Sequence, residues 1–260
     1  MMLYNSFNGY EDRMITFTIL LADKKISITS QFETTKQFCK DYLCDEEADF
    51  SVEVSMDDIA YERGKSEQED KLEGIPVRQF SDQYLETLAV YRKIANHFVQ
   101  YNTILFHGSV IAVDGKGYLF TAKSGTGKST HTRLWREVMG ERAFMVNDDK
   151  PLLRIADDKV YAYGTPWDGK HHLSTNCSIP LAGICILERG ETNKIVSITA
   201  KDALPMLFQQ SHRPSDQVGM IQYLNLMEQL SNKCYFYRLN CNMDREAAIV
   251  SYEGMRKEDM

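Results

Sequence analysis

The run Lys123-Ser124-Gly125-Thr126-Gly127-Lys128-Ser129-Thr130 constrains the fold of this chain more than any other stretch. It follows Gly117-Tyr118-Leu119-Phe120-Thr121, which reads as a buried strand, and leads into Thr130 to Met139, which reads as a helix. Strand, glycine-bearing turn, Lys-Ser and helix, in that order, make the layout of a phosphate-binding P-loop. Glycines let backbone N–H groups crowd around phosphate oxygens with no Cβ in the way. The helix N-terminus adds its unpaired N–H groups and the positive end of its dipole. Lys128 brings a full charge to the outer phosphates, and the Ser129 hydroxyl suits Mg²⁺. The strict pattern has a glycine where this chain has Ala122. The remaining core, Gly125-x-Gly127-Lys128-Ser129, arises by chance in roughly 1 in 100 chains of this length. The plainer reading is a Gly/Ser turn capping an ordinary helix through Ser124 or Thr126. A cap, however, needs neither two glycines nor a lysine behind them.

With 260 residues the chain can bury a real core and fits one or two domains. Its net charge of −7 argues against nonspecific nucleic-acid or membrane-surface binding, which would call for a basic stripe. A nucleotide is not excluded, because a phosphate-binding loop is locally positive whatever the global charge. No apolar run approaches a membrane span. Met1 to Met14 carries Glu11, Asp12 and Arg13 and lacks a basic-then-apolar signal pattern. The six cysteines (Cys39, Cys44, Cys177, Cys185, Cys234 and Cys241) form no C-x-x-C pair, so they read as reduced core residues of a cytoplasmic protein.

Two regions are expected, 1–100 and 101–260. In the first, Met14 to Leu21 and Lys25 to Thr29 read as strands, joined as a hairpin through Ala22-Asp23-Lys24. Thr34 to Leu43 reads as a short helix capped by Thr34 or Thr35. Phe50 to Val54 alternates like a strand, Ser55 to Asp58 starts another helix, and residues 63–74 read as a polar loop. Ser81-Asp82 caps a longer helix with apolar positions from Tyr84 to Phe98. In the second region Thr103 to Val113 is apolar, with a turn over Asp114 to Gly117. Ala143 to Val146 leads into Asn147-Asp148-Asp149. Strands follow over Pro151 to Ile155, Val160 to Tyr163, Ala182 to Leu187, Lys194 to Ile198 and Cys234 to Leu239. Late helices cover Ala200 to Gln209, Ser215 to Leu230 and Asp244 to Arg256. So many strands with so few helices between them do not make a simple doubly wound array.

Asp148 and Asp149 follow an apolar strand about twenty residues past the loop. A carboxylate at such a strand end can hold Mg²⁺, and one beside it can take a proton from an attacking hydroxyl. A turn is the alternative, since Asn-Asp-Asp is good turn chemistry. His107-Gly108 reads as part of the strand just before the loop strand, where a lone histidine is usually a satisfied core residue; if adjacent strands pair, His107 comes near the phosphates and can assist the base. Gly164 to Lys170 is a loop with Pro166, Trp167 and Lys170, in which Trp167 packing on the core is at least as good a reading as a site. His171-His172 lacks a third ligand for zinc. Arg213 could reach a phosphate, although a solvated loop is the simpler reading.

On the His107-Gly108 stretch, the loop Ser124 to Ser129 and the Asp148-Asp149 pair, the chain resembles the C-terminal catalytic domain of HPr serine kinase/phosphorylase. Its Ser-Gly-Thr-Gly-Lys loop is also similar to that of ATP-dependent phosphoenolpyruvate carboxykinase. The resemblance covers roughly Tyr101 to Ile155 for the recognisable motifs. It implies an α/β fold, a P-loop-containing mixed sheet, with residues 1–100 a smaller α+β region that could dock substrate. It implies ATP and Mg²⁺ as cofactors and transfer of the γ-phosphoryl group to a serine hydroxyl. Ser124, Gly125, Thr126, Gly127, Lys128, Ser129 and Thr130 would hold phosphates, and Ser129 and Asp149 the metal. Asp148 would be the base, with His107 and Lys128 assisting; the two aspartates could be exchanged. Because of Ala122, the absence of the family's Glu-Val-Arg-Gly-type signature and an unfamiliar first hundred residues, HPr itself is not inferred as the acceptor. The pattern is closer to stand-alone HPr-kinase-like proteins found with ribosomally made, modified peptides. The expected partner is therefore a peptide or protein carrying a serine, with no nucleic acid and no membrane, and a homo-oligomer allowed. A small-molecule phosphotransferase and a nucleotide-binding module without turnover stay open.

Overall fold

The structure is a computed structural model that describes residues Met14 to Arg256. The N-terminal stretch read for a signal pattern lies outside the described residues, Met14 excepted. The chain divides into two compact units, one up to Lys93 and one from Ile94 onward.

In the first unit, β1 (Ile15–Leu21) and β2 (Lys24–Ser30) pair antiparallel across Ala22 and Asp23. Both turn residues have positive φ, 46° and 59°, as a two-residue hairpin matching the strand twist requires. After α1 (Glu33–Phe38) and a 3-10 turn, β3 (Phe50–Glu53) adds to β2 in parallel. The helix expected over Thr34 to Leu43 is thus shorter, and Phe32 rather than a threonine stands at its N-cap. The Thr35 hydroxyl turns inward instead, to the buried carboxylate of Glu86, which also accepts from the Phe32 backbone N–H at 3.2 Å.

Helix α2 (Met56–Glu73) opens on a capping box. The Ser55 hydroxyl accepts from Asp58 N, and the Asp58 carboxylate accepts from Ser55 N at 3.0 Å. This helix corrects the polar loop expected over 63–74. It has no apolar stripe for sequence periodicity to find. Its ends and charges hold it: Gly74 closes it at φ 69°, Arg92 bonds Asp58 at 3.1 Å and Glu62, and Arg78 Nε bonds buried Asp70 at 3.0 Å. α3 (Asp82–Phe98) starts where Ser81 Oγ accepts from Tyr84 N, and the division between the units falls within it.

The second unit is built on a mixed, nine-stranded sheet. Its strands are β4 (Thr103–Leu105), β5 (Ser109–Val113), β6 (Lys116–Thr121), β7 (Ala143–Asn147), β8 (Leu152–Ala156), β9 (Lys159–Tyr163), β10 (Ser178–Arg189), β11 (Lys194–Ile198) and β12 (Phe236–Cys241). The strands run in the order β4-β8-β9-β10-β6-β5-β7, with β12 between β10 and β11. The twelve-residue β10 joins the two halves. Its first residues pair antiparallel with β9, and the rest pair parallel with β6 and β12. Helices α5 (Ala200–Gln210) and α6 (Gln217–Lys233) supply Leu207, Tyr223, Leu226 and Leu230 to one buried apolar cluster. Helices α4 (Lys128–Met139) and α7 (Glu246–Met255) supply Leu134, Trp135, Ala247 and Met255 to a second. The apolar run Thr103 to Val113 is two strands rather than one. His107 and Gly108 therefore lie in the link between β4 and β5, not in a strand.

All six cysteines are free, with Cys39 and Cys185 buried and the others partly so. Among the described residues no helix is long and apolar enough to cross a membrane.

Candidate functional site

Strand direction gathers the site. β10 runs parallel to β6 and β12, whereas β5 is antiparallel to β6 and β7 antiparallel to β5. β6, β7, β10 and β12 therefore all end at one edge, and β5 begins there. That edge collects the loop after β6, Asn147 at the end of β7 with Asp148 and Asp149 after it, His107 and Gly108 before β5 with Ser109 at its start, and Arg189 at the end of β10.

The loop passes from Thr121 to α4 through two left-handed glycines, Gly125 at φ 72° and Gly127 at φ 123°. A side chain at either would be strained. Ala122 needs no such freedom: it is fully buried in the same cluster as Phe120, Leu134 and Trp135, so its methyl replaces the usual glycine as core packing. The N-cap of α4 is Gly127, with no side-chain cap and no acidic residue in the first turn. Neither Ser124 nor Thr126 caps the helix. Its first N–H groups and positive dipole end are left to whatever approaches the loop. From the end of β10, Arg189 donates to Gly125 O at 2.6 Å and holds the turn.

Lys128 is the first residue of α4. Burial pushes its ammonium below the ordinary lysine range, against the pull of the Asp149 and Asp148 charges. The two aspartates have different partners. Asp148 is 6% exposed, and burial raises its carboxyl above the usual range despite a hydrogen bond from Ser129; the Ser109 hydroxyl donates to the Asp148 backbone carbonyl at 2.9 Å. Its Oδ1 is buried without a partner among the described residues. Asp149 is half-buried, and His107 Nε2 lies 3.3 Å from its Oδ1. Burial works to raise Asp149 as well, but the His107 hydrogen bond and the charges of Lys150, His107 and Lys128 hold it below the ordinary value. The Ser129 hydroxyl is a hydrogen-bond partner of the Asp148 side chain.

Asn147 sets the aspartate backbone. Its buried amide accepts from Asp149 N at 2.9 Å and Lys150 N at 2.7 Å and donates to Thr165 O at 3.1 Å. The 164–170 loop packs against this turn. Thr165 Oγ1 donates to Lys150 O at 2.9 Å, and a Cβ on Gly169 would stand 3.1 Å from Asp149 Cβ. Trp167 is buried, as the core reading expected. His172 Nδ1 lies 3.2 Å from Asp168 Oδ1, and the charge of His171 reaches Asp148. Arg213 is exposed, beyond Ser211 and His212, whose side chains bond Tyr223 OH at 2.5 Å and Asn96 at 2.7 Å.

The structure thus brings His107, Lys128, Ser129, Asp148 and Asp149 together. Sequence reading missed Ser109, Arg189 and the orienting role of Asn147. Only Asn147 carried a signal, as a residue suited to bonding the backbone two places on. Among the described residues no group of three His, Cys, Asp or Glu side chains is arranged to hold a metal. A cation here would need hydroxyl or phosphate oxygens as well.

No curated protein matches the chain. The HPr(Ser) kinase/phosphatase from Coxiella burnetii is similar at 9% identity and a TM-score of 0.34, over 60% of this chain and 99% of that one, and a likeness so slight carries no argument. The family model that matches is the one described as SynChlorMet cassette protein ScmC, over residues 77–249. That span takes in the loop, the aspartate pair and every strand of the second unit, and the chain belongs to the ScmC family.

Proposed function

We propose that the chain is an ATP- and Mg²⁺-dependent kinase that transfers the γ-phosphoryl group to a serine hydroxyl of a peptide or protein. One observation carries this reading. An uncapped helix N-terminus, with a half-buried lysine as its first residue, faces two adjacent carboxylates where several strands end. Backbone N–H groups from Gly125 to Thr130 and the Lys128 ammonium bind phosphates. Ser129 and Asp148 fit the metal side, because the orphaned Asp148 Oδ1 and its raised carboxyl are what a cation would relieve. When bound, Mg²⁺ would be held by Ser129 and Asp148 and would offset the charge of the phosphates. Asp149, ionised and oriented by His107, accepts the proton of the incoming hydroxyl at its carboxylate. This exchanges the roles that sequence alone favoured for the two aspartates.

A peptide acceptor suits a cassette protein that works beside other gene products. In the first unit's three-stranded sheet the outer strands are β1 and β3, the kind of strand to which an extended peptide adds. The test is incubation with γ-labelled ATP, Mg²⁺ and either free serine or candidate peptides from neighbouring genes, with label followed by mass spectrometry. Label on a peptide serine is expected. Label on free serine alone would leave the phosphate chemistry standing and remove the peptide acceptor. Wild-type protein that transfers label to nothing and does not bind ATP would overturn the reading.

A further inference from the structure

The run Trp167-Asp168-Gly169-Lys170-His171-His172 lies in the link between β9 and β10, against the aspartate turn. Lys150 N donates to Trp167 O at 3.2 Å, and the Gly169 backbone packs on Asp149, where an added Cβ would stand 3.1 Å from Asp149 Cβ. Gly169 has φ 73°. His172 is also left-handed, at φ 50°, a conformation that a residue with a Cβ keeps only where its surroundings hold it. Here its Nδ1 lies 3.2 Å from Asp168 Oδ1, and its backbone N–H donates to Gly169 O at 3.5 Å.

The charges in this run are sorted. Its one acid, Asp168, is 7% exposed and turned to His172. Lys170 and His171 are exposed, and among the described residues the Lys170 ammonium has no ion-pair partner. Lys170 follows Gly169 directly, so its Cα lies about 3.8 Å beyond that of the glycine packed on Asp149. The charge of His171 reaches the Asp148 carboxylate, and that of Lys150 reaches Asp149. A chain of net charge −7 therefore gathers basic side chains around the two carboxylates of the site. A local field opposed to the charge of the whole favours an anionic ligand at that place alone.

We propose that the 169–172 segment recognises acidic residues flanking the acceptor serine, with Lys170 as the main contact and His171 beside it. The inference rests on the kinase reading above and adds the class of peptide, one with Asp or Glu within two residues of the serine. With the serine hydroxyl at Asp149, each neighbouring residue of an extended chain lies about 3.3–3.6 Å further on, within the sweep of the Lys170 side chain. The same cations offset the repulsion between an acidic peptide and the phosphates of the nucleotide.

The test uses the full chain, two fluorescein-labelled peptides, Glu-Glu-Ser-Glu-Glu and Gln-Gln-Ser-Gln-Gln, and inorganic tripolyphosphate as a third probe. Peptide binding is read by fluorescence anisotropy and needs no transfer, so it stands apart from the kinase reading. The wild type should bind the acidic peptide roughly tenfold more tightly than the Gln peptide. Lys170→Glu should remove most of that preference and leave tripolyphosphate binding nearly unchanged. Lys159→Glu, at the far end of β9 from this segment, reverses another exposed charge and should keep the preference. Lys170→Gln, a milder change, repeats the measurement should the charge reversal disturb the loop. Equal binding of both peptides by the wild type, equal losses in Lys170→Glu and Lys159→Glu, or a loss of tripolyphosphate in Lys170→Glu as large as that of the acidic peptide would overturn the proposal. With γ-labelled ATP, equal transfer to both peptides would overturn the acidic preference and leave the kinase reading standing. Preferential binding without transfer to either would support the docking segment and count against the kinase reading.

Discussion

His107 Nε2 lies 3.3 Å from Asp149 Oδ1, while the neighbouring Asp148 has the Ser129 hydroxyl at its carboxylate and the Ser109 hydroxyl at its backbone carbonyl. Two consecutive carboxylates are thereby sorted into different surroundings, one facing a histidine and one a helix-borne serine. Asp149→Asn should lower turnover by roughly 10²–10⁴ while ATP binding survives. Asp148→Asn should instead raise the Mg²⁺ concentration needed for ATP binding. Single-turnover rates and Mg²⁺ titrations of both variants check this; the opposite pattern would exchange the two roles again.

The burial of Asp148 also predicts a stability change. Its folded-state carboxyl is raised above the unfolded value of 3.8, so ionisation at neutral pH works against folding. Below the unfolded value the carboxyl is protonated in both states and this penalty vanishes. Asp148→Asn should therefore melt higher than the wild type at pH 7, and the gap should shrink as pH falls toward 4 and below. Melting curves across that range read it directly. A variant less stable at pH 7 would contradict the assignment.

Asn147 predicts a structural loss rather than a chemical one. Asn147→Ala orphans the N–H groups of Asp149 and Lys150, and should cost roughly 2–4 kcal/mol in urea unfolding. Turnover should fall with it, because both aspartates hang from that turn. A loss below about 1 kcal/mol would mean other contacts set the turn.

Much of this fold was legible because its signals are local. Ala22-Asp23 and Asp157-Asp158 adopt positive φ between strands, as short turn residues allow. Ser55 and Asp58 announce α2 by a capping box. The far end of α2 was not legible, because a helix with no apolar face looks like a loop until Gly74 and its ion pairs are seen. The break at His107 escaped notice too, since Phe106 is as apolar as its strand neighbours and only the pairing shows where β4 ends. In the site, the loop and both aspartates were visible as residue types. Arg189 and Ser109 were not: their roles arise from strand order, which brings the end of β10 and the start of β5 to the loop.

Arg189 supports the loop from outside it. Arg189→Ala removes the bond to Gly125 O and should weaken tripolyphosphate binding about tenfold with little change in unfolding free energy, because the side chain is exposed. Calorimetric titration checks the first point and urea unfolding the second. Unchanged binding would show that the two glycines alone fix the turn.

The most direct measurement is the melting temperature of the wild type and Lys128→Ala with and without MgATP. At a ligand concentration near 100 times Kd, the wild type should gain roughly 5–10 °C. Lys128→Ala, folded as judged by its circular dichroism, should lose most of that gain, because the substitution removes the full charge at the phosphates. An equal gain in both proteins, or none in the wild type, would contradict nucleotide binding at this loop.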